Sequence, residues 1–305
     1  MSVIAAPVPR PRLNLARLEL VGAGVCFSLM AVLGRKLSRG PDAFTAGHLS
    51  VVRFAVGAAV SLLVFGLRPG LYRPHDTPRL VWRGISGGLV VVLYFMALSR
   101  IPAGEAGLLY NLFPVIATVM SLFAFGERPT VHLWLGLGLA TAGVALVLGE
   151  GSLSLGLGLG EGLALAAAVF GGLSANIIRG MRGTDNAPTI FFFFCLVGLP
   201  VVAPFALDPW PSAPGPWALA ALMGLAAFAA QVLMTEAYGT LSVPEAAVWL
   251  QLTPIAQFLL AAPLLGEPVS AVGMAGVLVG VAGVAYGSVL GHRAPVAAPG
   301  PGPPP

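Results

Sequence analysis

The chain has 305 residues, of which 57% are hydrophobic and only 9% are charged, and its formal net charge is +4. An ordinary soluble domain carries about 25% charged residues, so this composition excludes a soluble globular protein and indicates a chain embedded in a membrane. Both cysteines fall inside apolar stretches, which argues against a disulfide framework and against a metal site.

Ten apolar stretches follow one another along the chain, and short charged or proline-rich segments separate them. Each has about the 17 to 25 residues that a helix needs to cross the hydrocarbon of a bilayer. The predicted spans cover residues 18–34, 48–66, 82–98, 103–125, 131–149, 157–178, 190–207, 217–238, 243–265 and 271–290. The proline-rich ends, residues 1–17 and 291–305, are predicted to be disordered. The connections are short, so we expect no attached soluble catalytic domain.

Basic residues between the predicted spans lie mainly on one side of the membrane. That side holds both termini and many arginines, among them Arg17, Arg83 and Arg179, while the other side holds only four basic residues, Arg35, Lys36, Arg39 and Arg100. The positive-inside rule therefore predicts that both termini are cytoplasmic. Because these charges lie in membrane loops, we expect them to orient the protein in the lipid bilayer, and we expect no nucleic-acid partner.

The second half of the chain repeats the first at an offset of 140 residues. The repeat pairs Pro114 with Pro254 and Glu127 with Glu267 without a gap. Scarce residues held in one register argue against chance similarity between apolar helices. Residues 18–149 and residues 157–290 each contain five spans, and an odd number means that the second half enters the membrane from the opposite side. The sequence thus predicts an all-α integral membrane protein with ten transmembrane helices, arranged as two inverted five-helix repeats.

Three segments carry a resemblance to a known family. They are LSVVRFAVGA at residues 49–58, NLFPVIATVMSLFAFGERPT at residues 111–130 and LQLTPIAQFLLAAPLLGEPVS at residues 250–270. With them the chain resembles the drug/metabolite transporter superfamily, specifically the ten-helix EamA type. The resemblance implies a monomer or a homodimer in a bacterial inner membrane, which carries small metabolites by alternating access, often outward. It implies neither ATP nor any other cofactor.

Proline inside an apolar helix is the first candidate functional feature. Pro114 and Pro254 could kink the fourth and ninth spans symmetrically and free backbone carbonyls toward a cavity, although proline is also common at ordinary packing kinks. On a helical wheel Tyr110, Asn111 and Thr118 share a face with Pro114. Such a stripe either lines a cavity or bonds neighbouring helices.

Further polar residues are candidates for substrate contact. The third and eighth spans offer Tyr94 and Gln231, and the ninth offers Trp249, Gln251 and Gln257, although the wheel does not show which face of the ninth span lines the cavity. The resemblance implies that the first, third, fourth, sixth, eighth and ninth spans surround the cavity. It thereby adds Ser28, Ser174 and Asn176.

Two charged residues have open roles. Arg53 lies well inside the second span, where a charge normally faces a partner or a water-filled path. It either bonds carbonyls and fixes the span or binds a substrate carboxylate. Glu236 lies near the end of the eighth span and is either an anchor or a proton site.

Together these features predict a permease for a small organic metabolite, such as an amino acid or a related zwitterion, with export as the expected direction. A multidrug or cation efflux permease is the alternative, although no glutamate lies clearly at mid-depth. A membrane-embedded enzyme that modifies lipids would need a nucleophile with a base, paired carboxylates or metal ligands, and the sequence offers no such set. A structural or sensory membrane protein would leave the inverted proline repeat without a reason.

Overall fold

The computed structural model describes residues 10–40, 42–101, 103–149 and 158–291. Within these ranges ten helical spans are long and apolar enough to cross a membrane, which confirms the predicted number. Eight spans are single helices, α1 (Arg10–Leu37), α2 (Ala46–Leu67), α3 (Thr77–Leu98), α6 (Val131–Leu148), α7 (Leu159–Met181), α8 (Ala187–Val202), α9 (Gly215–Ala237) and α12 (Ala271–Leu290). The fourth span consists of α4 (Ala103–Tyr110) and α5 (Phe113–Ala124), and the ninth of α10 (Val243–Leu250) and α11 (Leu252–Leu265).

Two helices begin earlier than the sequence predicts. Helix α1 begins at Arg10, so the part of the predicted disordered end that is described is helical. Leu13 and Ala16 hold it there because they are buried in the largest apolar cluster. Helix α3 begins at Thr77, since the Asp76 side chain caps it by accepting a hydrogen bond from the backbone of the third helical residue. Residues 1–9 and 292–305 lie outside the described residues.

Helix ends repeat along the chain as the apolar pattern does. Thr130 caps α6 and Ser270 caps α12, each by accepting a hydrogen bond from a backbone N–H one turn on. Gly126 and Gly266, also 140 residues apart, end the fourth and ninth spans with φ angles of 65° and 67°. This left-handed conformation favours glycine, because a Cβ atom would be strained there.

The closely packed helices confirm the inverted repeat. The first span packs on the eighth and ninth (α1 on α9 and α11), and the sixth packs on the third and fourth (α7 on α3 and α5). The second span packs on the eighth (α2 on α9), and the seventh on the third (α8 on α3). Exchanging each span for the one five positions along leaves this set of neighbours unchanged, which is the property of a pseudo-two-fold axis between the halves.

Two glycine-rich helices, α6 and α12, form the closest contact between the repeats. A Cβ atom on Gly143 would lie 2.3 Å from the backbone nitrogen of Gly280, and one on Gly136 would lie 2.4 Å from the Cα atom of Gly287. Small residues allow two backbones to touch in this way. The glycine stripes predicted to pack helices or subunits therefore pack against each other within one chain.

Candidate functional site

Both proline-containing spans are broken at equivalent positions. The fourth span leaves α-helical geometry at Asn111 and Leu112, directly before the helix that carries Pro114. The ninth is interrupted at Gln251, 140 residues after Asn111, and Pro254 follows in the first turn of α11. The predicted helix breaks are thus present in both repeats.

The two broken spans meet at only one side of the membrane. We call the side where α1 begins and α12 ends the terminal face, and the other side the opposite face. Helix α5, the half of the fourth span near the terminal face, packs on α10, the corresponding half of the ninth span. Among the described residues, α4 and α11, the halves near the opposite face, have no comparable packing. The bundle is therefore closed between these spans at the terminal face and looser at the opposite face.

A carboxylate joins the two broken spans at the terminal face. Glu127 follows α5, and its Oε2 accepts a hydrogen bond of 2.9 Å from the backbone N–H of Val243, the first residue of α10. Its Oε1 accepts a hydrogen bond of 3.3 Å from Nε of Arg179, whose guanidinium also donates to the Tyr238 carbonyl. Burial raises the pKa of the Glu127 carboxyl above its ordinary value of 4.5, and Arg179 opposes that shift. We call these four residues the terminal gate.

The opposite face has an equivalent but exposed ion pair. Glu267 pairs with Arg39 there, and each residue lies 140 positions from its counterpart in the terminal gate. The Arg39 and Glu267 side chains are 49% and 24% exposed, whereas those of Arg179 and Glu127 are 13% and 9% exposed. Arg35 adds a second contact of 3.1 Å to Glu267. The same pair of charges thus occurs at both faces, buried only where the bundle is closed.

Two arginines meet in the middle of the bundle. Arg53 is the eighth residue of α2 and Arg83 the seventh of α3, and these antiparallel helices bring them from opposite faces. Both guanidinium groups lie beside the ring of Phe194, with their carbon atoms 5.6 Å and 4.1 Å from its centroid. Arg83 also donates a hydrogen bond of 3.2 Å to the side-chain oxygen of Gln231. We call Arg53, Arg83, Phe194 and Gln231 the arginine cluster.

Aromatic rings lie next to the arginine cluster. The rings of Tyr94 and Tyr110 are 5.2 Å apart, and Tyr110 stacks on Phe113 at 5.3 Å. The Tyr110 phenol lies close enough to Arg53 and Arg83 to interact electrostatically with both. Tyr94, Tyr110, Gln231 and Arg53, which the sequence nominates from four different spans, therefore lie in one region.

Other nominated residues lie elsewhere. Gln251 is fully buried and donates a hydrogen bond of 2.9 Å to the Thr141 hydroxyl on α6, so it faces the glycine-rich seam. Thr118 is buried at the terminal-face contact of α5 and bonds its own helix at the Pro114 carbonyl. Both side chains lie within helix contacts and not at a cavity wall.

Three candidates lie at partly exposed positions. Asn111 donates a hydrogen bond of 2.7 Å to the Gly107 carbonyl one turn back and so closes the end of α4. Trp249 packs against two apolar clusters, and its indole nitrogen is buried without a hydrogen-bond partner. Gln257 is half-buried on α11.

The candidates added by the resemblance bond neighbouring helices. The Ser28 hydroxyl donates to the Thr253 carbonyl at 2.8 Å, which joins the first and ninth spans. Asn176 donates to the Ala117 carbonyl at 3.0 Å, which joins the sixth and fourth spans. These two bonds are related by the repeat, and they tie each broken span to its neighbour. Ser174 shares a hydrogen bond of 2.7 Å with Ser86 on α3.

Glu236 lies at the terminal face in an ion pair with Arg182. The pair borders a polar pocket of about 290 Å³, which Glu19 and Thr240 also line. This geometry fits the anchor better than a proton site at mid-depth. Among the residues that the structure describes, no group of three or more His, Cys, Asp or Glu side chains could hold a metal ion.

Sequence reasoning misplaces Arg83 and misses Phe194. Arg83 is only 3% exposed inside the bundle, whereas the sequence assigns it to a cytoplasmic loop. The correction follows from the earlier start of α3, which moves Arg83 into the second turn of the helix. The signal was present as the capping residue Asp76 followed by Pro78, a pair typical of a helix start.

Comparisons with known proteins place the whole bundle in context. The model of the EamA-like transporter family matches residues 15–149 and residues 158–288, one match for each repeat. The pseudopaline exporter CntI of Pseudomonas aeruginosa, from strains PAO1 and UCBPP-PA14, is 25% identical over 229 residues, which are 72% of this chain and 80% of the relative. A protein of known crystal structure superposes with a TM-score of 0.78 at 22% identity, covering 91% of this chain and 98% of its own.

Proposed function

The chain belongs to the EamA-like transporter family and is a multi-pass membrane transporter, and on that premise we propose that it exports a small organic metabolite by alternating access. The family and the named relatives indicate a transporter rather than an enzyme. Export is proposed because the curated relatives carry the name of an exporter.

One observation carries the proposal. The broken fourth and ninth spans pack together at the terminal face through α5 and α10, and no comparable contact joins α4 and α11 among the described residues. A carrier that alternates between two faces needs a central site and a closure that forms at one face at a time. The exposed pair of Arg39 and Glu267 occupies the place where a matching closure would form at the opposite face.

The orientation that we propose puts the terminal face in the cytoplasm. Arg17, Arg179, Arg182 and other arginines lie at that face, and the charge bias remains when Arg83 is removed from the count. The described conformation is then closed to the cytoplasm, the conformation in which an exporter releases its substrate. We propose the inner membrane of a bacterium as the location, in keeping with the bacterial relatives.

The substrate is an amino acid, a related zwitterion or another small metabolite that carries an acidic group. Efflux of cationic drugs is less well supported. Such a drug would meet Arg53 and Arg83 at the centre of the bundle, where like charges repel.

Mass spectrometry of spent medium tests the export proposal. Bacteria that produce the protein are expected to accumulate one or a few small solutes outside the cell, relative to bacteria that produce a variant with Pro114→Ala and Pro254→Ala. The solutes are then loaded into proteoliposomes, and their release is followed. The proposal is wrong if the medium is unchanged and proteoliposomes that contain the protein release each solute no faster than empty liposomes.

A further inference from the structure

The arginine cluster holds more positive charge than the protein neutralises. Arginine remains charged in proteins, and each guanidinium carries five N–H groups. Among the described residues, Arg53 donates no hydrogen bond and Arg83 donates only the one to Gln231. The Nε atoms of both are buried without a partner. No carboxylate of the described residues forms an ion pair with either.

Elsewhere the protein pairs the arginines that it partly buries. Arg17 contacts Glu245 at 2.7 Å, Arg179 contacts Glu127 at 3.3 Å, and Arg182 contacts Glu236. These three form structural ion pairs near the terminal face. Arg53 and Arg83 lie deeper and are different in kind, because a charge inside a membrane is expensive and normally faces a partner or a path for ions.

The location of the cluster is that of a transport site. Arg53 and Arg83 belong to the first repeat, and Phe194 and Gln231 belong to the second. Phe194 is the eighth of the 16 residues of α8, so the groups meet near the middle of the bundle. Substrate sites of transporters built from inverted repeats lie near the midplane where the halves meet.

The geometry of the cluster selects a class of ligand. The Arg83 guanidinium lies over the Phe194 ring, which holds it in place by a cation–π contact and leaves its remaining N–H groups for a ligand. A planar guanidinium binds carboxylate or phosphate through two parallel hydrogen bonds. Arg53 and Arg83 lie close enough to repel each other, so a ligand with two negative groups relieves more of the cost than one with a single group.

Resting on the transport function proposed above, we propose that Arg53 and Arg83 bind a small, soluble organic anion with two carboxylate or phosphate groups. Tyr94, Tyr110 and Phe113 supply an apolar surface beside the charges, against which the carbon skeleton of the anion lies. The substrate class is thus an organic dianion, with or without an amino group elsewhere.

Thermal unfolding of purified protein in detergent tests the site. The probes are succinate, citrate and inorganic phosphate, compared with succinamide and sodium chloride at equal ionic strength, and with micellar phosphatidylglycerol. At least one soluble dianion is expected to raise the Tm, because a ligand that binds only the folded state stabilises it. Arg53→Gln and Arg83→Gln are expected to abolish that shift without lowering the Tm of the unliganded protein, since each removes a repelled, unpaired charge.

The matched control is Arg68→Gln, which removes an exposed arginine from the end of the same helix as Arg53 and is expected to keep the shift. Arg53→Lys and Arg83→Lys retain the charge and are expected to weaken the apparent affinity at least 10-fold, because a lysine ammonium lacks the planar fork of donors. These lysine variants remain informative if a glutamine variant fails to fold.

Three results would overturn the proposal. One is a Tm that no soluble dianion raises above the sodium chloride control, and another is a shift that survives in both glutamine and both lysine variants. The third is a shift with phosphatidylglycerol alone, which would assign the arginines to a lipid headgroup. Solute release from proteoliposomes separates this proposal from the transport function. Release without any dianion effect refutes only the anion site, and a dianion shift without release refutes only transport.

Discussion

Glu127 and Glu267 occupy equivalent positions in the two repeats, and each pairs with an equivalent arginine, yet only the pair of Glu127 is buried. Glu127 also accepts a hydrogen bond from the backbone of Val243, and so ties the fourth span to the start of the ninth. The closure of one face therefore depends on a small set of polar contacts whose equivalent at the other face is exposed.

We predict that Glu127→Ala opens the terminal face. The change removes the partner of Arg179 and the acceptor of the Val243 N–H, and breaking a buried ion pair costs about 3–5 kcal/mol. A cysteine placed at Thr118, which is 1% exposed beside this closure, measures the opening by its rate of labelling with a maleimide. We expect an increase of at least 10-fold above the labelling of the parent protein.

Glu267→Ala is the matched control for that experiment. Because its ion pairs are exposed, they are worth about 0–1 kcal/mol, and labelling at Thr118 is expected to change less than 3-fold. Equal labelling in the two glutamate variants would show that the terminal gate does not hold the face closed.

The terminal gate is expected to close more tightly as the pH falls. Burial raises the pKa of Glu127 in the closed state, and in an open state with solvent around the carboxyl the value returns toward 4.5. The closed state then binds a proton more readily than the open state, so lowering the pH from the raised pKa toward 4.5 favours closure. Maleimide labelling of the Thr118→Cys variant is expected to slow over this interval.

Glu127→Gln isolates the pH effect. The amide oxygen can still accept the Val243 hydrogen bond, while the group no longer titrates. The variant is expected to remain closed and to lose the pH dependence of labelling between the raised pKa and 4.5. Persistence of the full pH dependence would assign it to another group.

The two prolines are expected to be needed for transport and not for folding. Pro114→Ala together with Pro254→Ala lets each broken span approach a continuous helix, because alanine restores the N–H that proline lacks. We predict a Tm equal to or above that of the parent and at least a 10-fold lower rate of solute release from proteoliposomes. Release at the parental rate would show that the breaks are only packing kinks.

The glycine seam between α6 and α12 is predicted to be intolerant of larger side chains. A valine at Gly143 would meet the backbone of Gly280, which cannot move without displacing the helix, and overpacking costs about 1–3 kcal/mol or more. Gly138→Val on the same helix is the control, because a Cβ atom there meets nothing within 4 Å. We expect a lower Tm for Gly143→Val alone, measured in the same detergent.

The spans, the inverted repeat and the two breaks can all be predicted from the sequence, because apolar length and the register of Pro114 and Pro254 depend on local order along the chain. The depth of Arg83 cannot be predicted as directly, since it depends on where the Asp76 cap starts α3. The direction of Gln251 also escapes a helical wheel. The helix is interrupted at Gln251 itself, and the rotation between α10 and α11 is set there by packing and not by the 100° step.

The hydrogen bond between Gln251 and Thr141 has a consequence for the resting state of the carrier. If the two repeats exchange conformations as the transporter turns over, Asn111 takes the place that Gln251 holds now, and the residue equivalent to Thr141 is Val281, which has no hydroxyl. The two end states then differ by one hydrogen bond, worth about 1 kcal/mol, or about a 5-fold difference in population. The symmetry of the fold thus makes both states accessible, and a single threonine biases the idle carrier toward the one described here.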